Sequence, residues 1–139
     1  MISNKYFNAI CIGLILILAT ILRLYNYSEF SLTNDELSII TDFRELTSFS
    51  QAIDISTKTD GHTPVLGLFV YLYGNLFGWT AYLLRIPFII CGILSVLIIY
   101  LITKKWLSAF HGLIVALFMA VLQFSLINDP LIRPYSPGV

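Results

Sequence analysis

Charged side chains are scarce in this sequence of 139 residues: only 12% of the residues are charged, whereas 58% are hydrophobic. Soluble domains carry about 25% charged residues, so the composition excludes an ordinary soluble domain. Lysine and arginine together number eight, and so do aspartate and glutamate. Because neither sign of charge is in excess, the charge balance favours neither a nucleic acid nor an acidic partner.

Cysteine and recognisable cofactor motifs are also scarce. Cys11 and Cys91 both lie within apolar runs, which is typical of small buried hydrophobic residues rather than of a disulfide pair. The sequence has no metal-ligand spacing, no glycine-rich nucleotide loop and no nucleophile elbow. We therefore predict no cofactor and no metal, although Asp35 and Glu36 are of a residue type that binds divalent ions.

Long uncharged runs are what the sequence does contain. Charge is absent from residues 6–22, 63–84, 86–103 and 106–128. A bilayer core about 30 Å thick requires about 20 apolar residues in a helix. These runs predict an all-α integral membrane protein that contacts membrane lipids. The first run follows Lys5 and precedes Arg23 without a convincing cleavage site, which favours an uncleaved signal anchor.

Two topologies fit the runs, and they differ at residues 63–103. A turn at residues 85–87 would give four spans. A turn at Gly78 would leave Pro64–Phe77 as an interfacial or re-entrant helix, since 14 residues extend only about 21 Å. Lysine-rich short loops stay cytoplasmic, and three spans place both Lys5 and the pair Lys104 and Lys105 inside. We therefore predict a multi-pass protein of the cytoplasmic membrane with spans at 6–24, 80–103 and 106–127, and with outer loops at 25–79 and 128–139.

The first outer loop contains an amphipathic pattern, "TNDELSIITDFREL". Thr33 is the expected N-cap of a short helix, and Glu36 three residues later would complete a capping box. Apolar residues recur every three positions along one predicted face: Leu37, Ile40, Phe43 and Leu46. We predict that this helix lies in the membrane interface with its apolar face towards the lipid.

Four segments follow one another in a familiar order: "NDE" after the first span, "GHTPVLGLFVYLYGNLFG", "LLRIPFIICGILSVLIIYLITKKWL" and "RPYS". In this order they resemble the N-terminal part of the polyprenyl-phosphate-dependent membrane glycosyltransferases of the GT-C fold. That group includes protein O-mannosyltransferases and the aminoarabinose transferase of lipid A. The resemblance extends over residues 6–136. Since enzymes of this family are longer and have more spans, we expect the chain to be the front part of a longer protein.

The resemblance places Asp35 and Glu36 at the family's acidic pair in the first outer loop and implies a catalytic role for them. A carboxylate there would accept a proton from an acceptor hydroxyl or stabilise an oxocarbenium-like centre. The residues by themselves also allow a structural role, because Glu36 suits a capping box and Asp35 suits a helix N-terminus.

His62 and Arg85 match two further family elements. "GHTPVLG" resembles a His-Pro-Pro-Leu element, with Thr63 in place of the first proline, and implies that His62 binds phosphate or a sugar hydroxyl. "RIPFIICG" resembles an Arg-Leu-Pro element and implies that Arg85 binds the lipid phosphate through its planar guanidinium. The alternatives are an ordinary loop histidine and an arginine that reaches the headgroups.

"INDPLIRPYS" resembles the family segment after the third span, where an acid, an arginine and a tyrosine lie near the donor. The resemblance implies substrate binding by Arg133 and Tyr135. Leu131 stands where the family acid is usually found, so Asp129 is the remaining candidate for that acid.

The function that the resemblance implies is transfer of a sugar from a polyprenyl-phosphate donor to a lipid, glycan or protein acceptor outside the cytoplasmic membrane. A small non-catalytic membrane protein or interaction subunit derived from the same family is the alternative, because 139 residues are too few for the whole cavity of such an enzyme.

Overall fold

The computed structural model describes residues 4–25, 27, 31–58 and 64–132, and these residues form seven helices and no strand. The predicted all-α class is therefore confirmed over this part of the chain. The helices are α1 Asn4–Leu24, α2 Asn34–Arg44, α3 Phe49–Lys58, α4 Pro64–Phe77, α5 Ala81–Trp106, α6 Ala109–Val121 and α7 Gln123–Asn128.

Two of these helices, α1 and α5, are long and apolar enough to cross a membrane. The 26 residues of α5 extend about 39 Å at 1.5 Å per residue. This helix runs through Arg85 and Pro87 without a break, so the chain does not turn there as the four-span alternative requires. It turns instead at Gly78, whose φ of 111° lies in the left-handed region that glycine adopts without strain.

The region predicted as the third span, residues 106–127, is not one helix. Trp106 still belongs to α5, α6 has 13 residues, and the extended backbone of Leu122 separates α6 from α7. At the end of α6, Arg23 of α1 donates a hydrogen bond of 3.3 Å to the carbonyl oxygen of Ala120. In an uninterrupted helix that oxygen would accept from the amide of residue 124. Whether this region crosses the membrane as a third span stays a prediction.

Helices α1, α5 and α6 pack into one layer, which we call the spanning layer. Small side chains on α1 and α6 let the three helices approach closely, as is common between membrane helices. The hydrophobic core of this layer contains Ala19, Val96, Tyr100, Ala116 and Ala120. At Gly112 the approach is so close that a Cβ atom would lie 2.9 Å from the backbone oxygen of Tyr100.

Helices α2, α3 and α4 form a second layer, the loop layer, over the N-terminal end of α5. Its core contains Ile39, Ile40, Phe43, Ala52, Leu66, Val70, Tyr71, Leu84, Phe88 and Ile132. The predicted helix and its capping box at Thr33 are confirmed as α2. The predicted apolar face coincides only in part with the face that packs in this core, because Ile40 and Phe43 are buried but Leu37 is 48% exposed and Ile39 is buried instead. A strict spacing of three residues drifts around a helix of 3.6 residues per turn, so Leu37 leaves the face that Ile40 and Phe43 share.

Candidate functional site

The start of α2 is fixed by its own side chains. The Thr33 hydroxyl accepts a hydrogen bond of 3.3 Å from the Glu36 amide, and the Thr33 amide donates one of 3.0 Å to Glu36 Oε2. These reciprocal bonds use two backbone N–H groups that a helix start would otherwise leave without partners. Asp35 lies within this first turn, so its backbone is held in place, while its side chain lies outside the described part of the structure.

Glu36 also forms a buried ion pair with Arg85, which lies 49 positions further along the chain. Arg85 Nε donates to Glu36 Oε1 over 3.1 Å, and Arg85 Nη2 donates to Oε2 over 2.9 Å. Two backbone oxygens accept further bonds from the same guanidinium, Tyr27 O at 3.2 Å and Ser31 O at 3.3 Å. Neither side chain of the pair is more than 1% exposed. Arg85 therefore joins the first turn of α2, as well as Tyr27 and Ser31 before it, to the N-terminal part of α5.

The surroundings of Glu36 keep its carboxylate charged. Burial alone would raise its pKa, but hydrogen bonds from Arg85, Thr33 and Ile132 stabilise the anion, and the net effect lowers the pKa below its ordinary value. A carboxylate with a lowered pKa and five close donors is a poor proton acceptor near neutral pH. Within the acidic pair, Asp35 is therefore the better candidate for a general base.

A second buried ion pair joins Arg23, at the end of α1, to Asp129, just after α7. Arg23 Nε and Asp129 Oδ2 are 2.7 Å apart, and the two side chains are 0% and 7% exposed. Ser125 links them, since its hydroxyl accepts from Arg23 Nη2 over 2.9 Å and donates to Asp129 Oδ2 over 2.6 Å. Asp129 was predicted to lie near the substrate, whereas no site role was predicted for Arg23, although a charge that ends an apolar run is a visible signal.

The two ion pairs are connected through a short segment of backbone. Ile132, three residues after Asp129, donates its amide hydrogen to Glu36 Oε1 over 3.1 Å. Its side chain is fully buried in the core of the loop layer. The chain therefore leaves the Asp129 pair in the spanning layer and arrives directly at the Glu36 pair beneath the first turn of α2.

Of the seven predicted site residues, the structure brings Glu36 and Arg85 into contact with each other, and it places Asp129 in a separate buried ion pair with Arg23. For the other four predicted site residues, the structure describes only a backbone or nothing. Asp35 has a described backbone, whereas His62, Arg133 and Tyr135 lie outside the described residues. Within the described ranges, no three His, Cys, Asp or Glu side chains are grouped as a metal site would require.

A family model for dolichyl-phosphate-mannose-protein mannosyltransferases matches residues 61–129, about half of the chain. The matched stretch contains helices α4 to α7 and one member of each ion pair, Arg85 and Asp129. No curated protein and no solved structure matches the chain significantly. The family resemblance recognised in the sequence is confirmed by this match. Residues 61–129 are thus similar to the dolichyl-phosphate-mannose-protein mannosyltransferases, a family of membrane glycosyltransferases of the GT-C type.

Proposed function

We propose that this chain forms part of a membrane glycosyltransferase that moves a sugar from a polyprenyl-phosphate donor to a hydroxyl-bearing acceptor at the extracytoplasmic face of the cytoplasmic membrane. The family match supports the reaction type. One structural observation supports the location of the site: the amide of Ile132 is bonded to Glu36. This bond brings the start of the segment that carries Arg133 and Tyr135 to the same helix turn as Asp35.

Asp35 is the proposed general base. In this reaction, the bond between the sugar C1 and the phosphate oxygen breaks as the acceptor oxygen bonds to C1. The acceptor proton passes to the Asp35 carboxylate, and the polyprenyl phosphate leaves as an anion. Glu36 is proposed to hold the first turn of α2 in place rather than to exchange protons, because both of its oxygens already accept hydrogen bonds.

The donor phosphate needs cationic or hydrogen-bonding partners, and we assign this role to Arg133, with His62 and Tyr135 as further ligands. A guanidinium suits phosphate because it can donate two parallel hydrogen bonds. Arg85 is the weaker candidate, since its donors already reach Glu36 and two backbone oxygens. For Arg85 to bind the donor, the buried pair with Glu36 would first have to separate.

The test is transfer by membranes that contain the intact gene product, with radiolabelled polyprenyl-phosphate mannose as the probe. We expect Asp35→Asn to lower the rate by about 100-fold or more, the usual effect of losing a general base. Asp42→Asn is the matched control, because Asp42 is exposed on the same helix and should retain the wild-type rate. A wild-type rate in Asp35→Asn would refute the catalytic role. If the wild-type membranes transfer no sugar from a panel of polyprenyl-phosphate donors, the non-catalytic alternative is favoured.

A further inference from the structure

Arg23 is unusual because it ends an apolar helix and yet is buried. Its residue exposure is 1%, whereas an arginine at the end of a membrane helix ordinarily extends its charged group towards water. A buried charge persists only where partners satisfy it. The buried guanidinium of Arg23 must therefore be surrounded by hydrogen-bond acceptors, and the elements that supply them indicate what Arg23 does.

The acceptors around Arg23 come from three elements. In addition to Asp129 and Ser125, its Nη1 atom donates to two backbone oxygens, Ala19 O at 3.4 Å and Ala120 O at 3.3 Å. These bonds use all three guanidinium nitrogens and join α1, the end of α6, and α7 with the turn that follows it. Such a fork fixes the direction of the chain at Asp129 in a way that a lysine, with its single ammonium group, would not.

Helix α5 has a matching feature at Gly92. A Cβ atom built on Gly92 would overlap the Asp129 side chain, approaching its Cγ atom to 2.6 Å. The absence of a side chain at this position therefore makes the space in which the Asp129 carboxylate meets Arg23. The same helix carries Arg85 seven residues earlier, so both ion pairs are built against one rigid element.

Between the two ion pairs lie only the residues from Asp129 to Ile132. Three residue steps extend at most about 11 Å, and the Leu131 amide donates back to the Asn128 oxygen over 3.2 Å, so a short hydrogen-bonded turn links a shift at Asp129 to Ile132. Because the Ile132 amide is bonded to Glu36, such a shift would act on the first turn of α2.

We propose that Arg23, Ser125 and Asp129 are positioning residues for the transfer site: they hold residues 129–132 so that Ile132 meets Glu36 beneath the turn that carries Asp35. This inference rests on the proposed function for its catalytic consequence. Its structural part, the control of the contact between Ile132 and Glu36, can be measured without any sugar transfer.

The experiment uses Gly92→Ala in the intact gene product, with Gly13→Ala as the matched control. Both changes add one methyl group to a helical glycine, but Gly13 has no atom within 4 Å of the added Cβ. Amide hydrogen exchange is followed by mass spectrometry in lipid nanodiscs for a peptide that contains residues 129–132. Transfer is measured per amount of folded protein with the same mannose donor as above.

We expect Gly92→Ala to accelerate exchange in this peptide at least tenfold relative to Gly13→Ala and to lower the transfer rate by about 10- to 100-fold, the scale of a misplacement near 1 Å. Exchange in the middle of α1 and α6 should not change. If Gly92→Ala does not accumulate in membranes, Ser125→Ala removes one hydroxyl from the same cluster and should give a smaller effect of the same kind.

Unchanged exchange and unchanged transfer in the Gly92→Ala variant would overturn the proposal. Faster exchange with an unchanged transfer rate would overturn the positioning role while leaving the assignment of Asp35 intact. Failure of the proposed function has a different signature, namely a wild-type rate in Asp35→Asn whatever the exchange data show.

Discussion

The buried pair between Glu36 and Arg85 allows a quantitative test by a double-mutant cycle. The cycle compares Arg85→Met, Glu36→Leu and the double variant with the unchanged chain. Both replacements are apolar and of roughly similar length, so they remove the charges without opening a large cavity. The pair is suited to this test because its side chains are at most 1% exposed, and solvent therefore screens the interaction little.

The expected loss in the free energy of unfolding depends on which buried groups each substitution leaves without their partner. Arg85→Met leaves a buried carboxylate bonded only to Thr33 and the Ile132 amide among the contacts described, and Glu36→Leu leaves a buried guanidinium on two backbone oxygens. Breaking a buried pair from one side costs about 3–5 kcal/mol. The double variant leaves no unpaired charge, so its main losses are a capping box, about 1 kcal/mol, and the hydrogen bonds of a few backbone groups, about 1–3 kcal/mol. The two single losses together come to about 6–10 kcal/mol and the double variant loses about 2–4 kcal/mol, so we expect a coupling free energy of about 5 kcal/mol.

The measurement is the free energy of unfolding in detergent micelles titrated with sodium dodecyl sulfate and followed by circular dichroism. The double variant should be closer in stability to the unchanged chain than the sum of the two single losses implies. If the losses of the single variants simply add to that of the double variant, the two charges do not stabilise one another and the reasoning is wrong.

The remaining predictions concern pH and helix packing. Because the pKa of folded Glu36 lies below its ordinary value, its contribution to stability is present above that ordinary value and is lost as the pH falls through the lower, folded value. Unfolding midpoints measured from neutral to acidic pH should therefore fall more steeply for the unchanged chain than for Glu36→Gln, and parallel curves would contradict this. Gly112→Ala should destabilise the chain by about 1–3 kcal/mol through overpacking, because its Cβ would lie 2.9 Å from the Tyr100 backbone oxygen. Gly13→Ala in the same unfolding assay is the control, and equal stability of the two variants would exclude the close approach.

The amino-acid sequence by itself determined the class of this protein and its local structure. Long uncharged runs are sufficient to predict membrane helices, because the bilayer requires both their length and their apolar character. The capping box at Thr33 and Glu36 and the bounds of Pro64–Phe77 were predicted for a similar reason, since hydrogen bonds and helix breakers act over a few neighbouring residues. The family was also recognisable, because its motifs follow one another along the chain.

The partners of the buried charges were decided only by the tertiary structure. Arg23 and Asp129 are 106 positions apart, and Arg85 and Glu36 are 49 apart. Patterns of neighbouring residues in the sequence do not show which residues so far apart along the chain will form a pair. The split of the predicted third span at Leu122 also lies beside a tertiary contact, since the guanidinium bonded to the Ala120 oxygen comes from α1. The sequence shows which residues carry charge in an apolar chain, but helix packing alone determines which opposite charge lies close enough to offset the loss of water around each one.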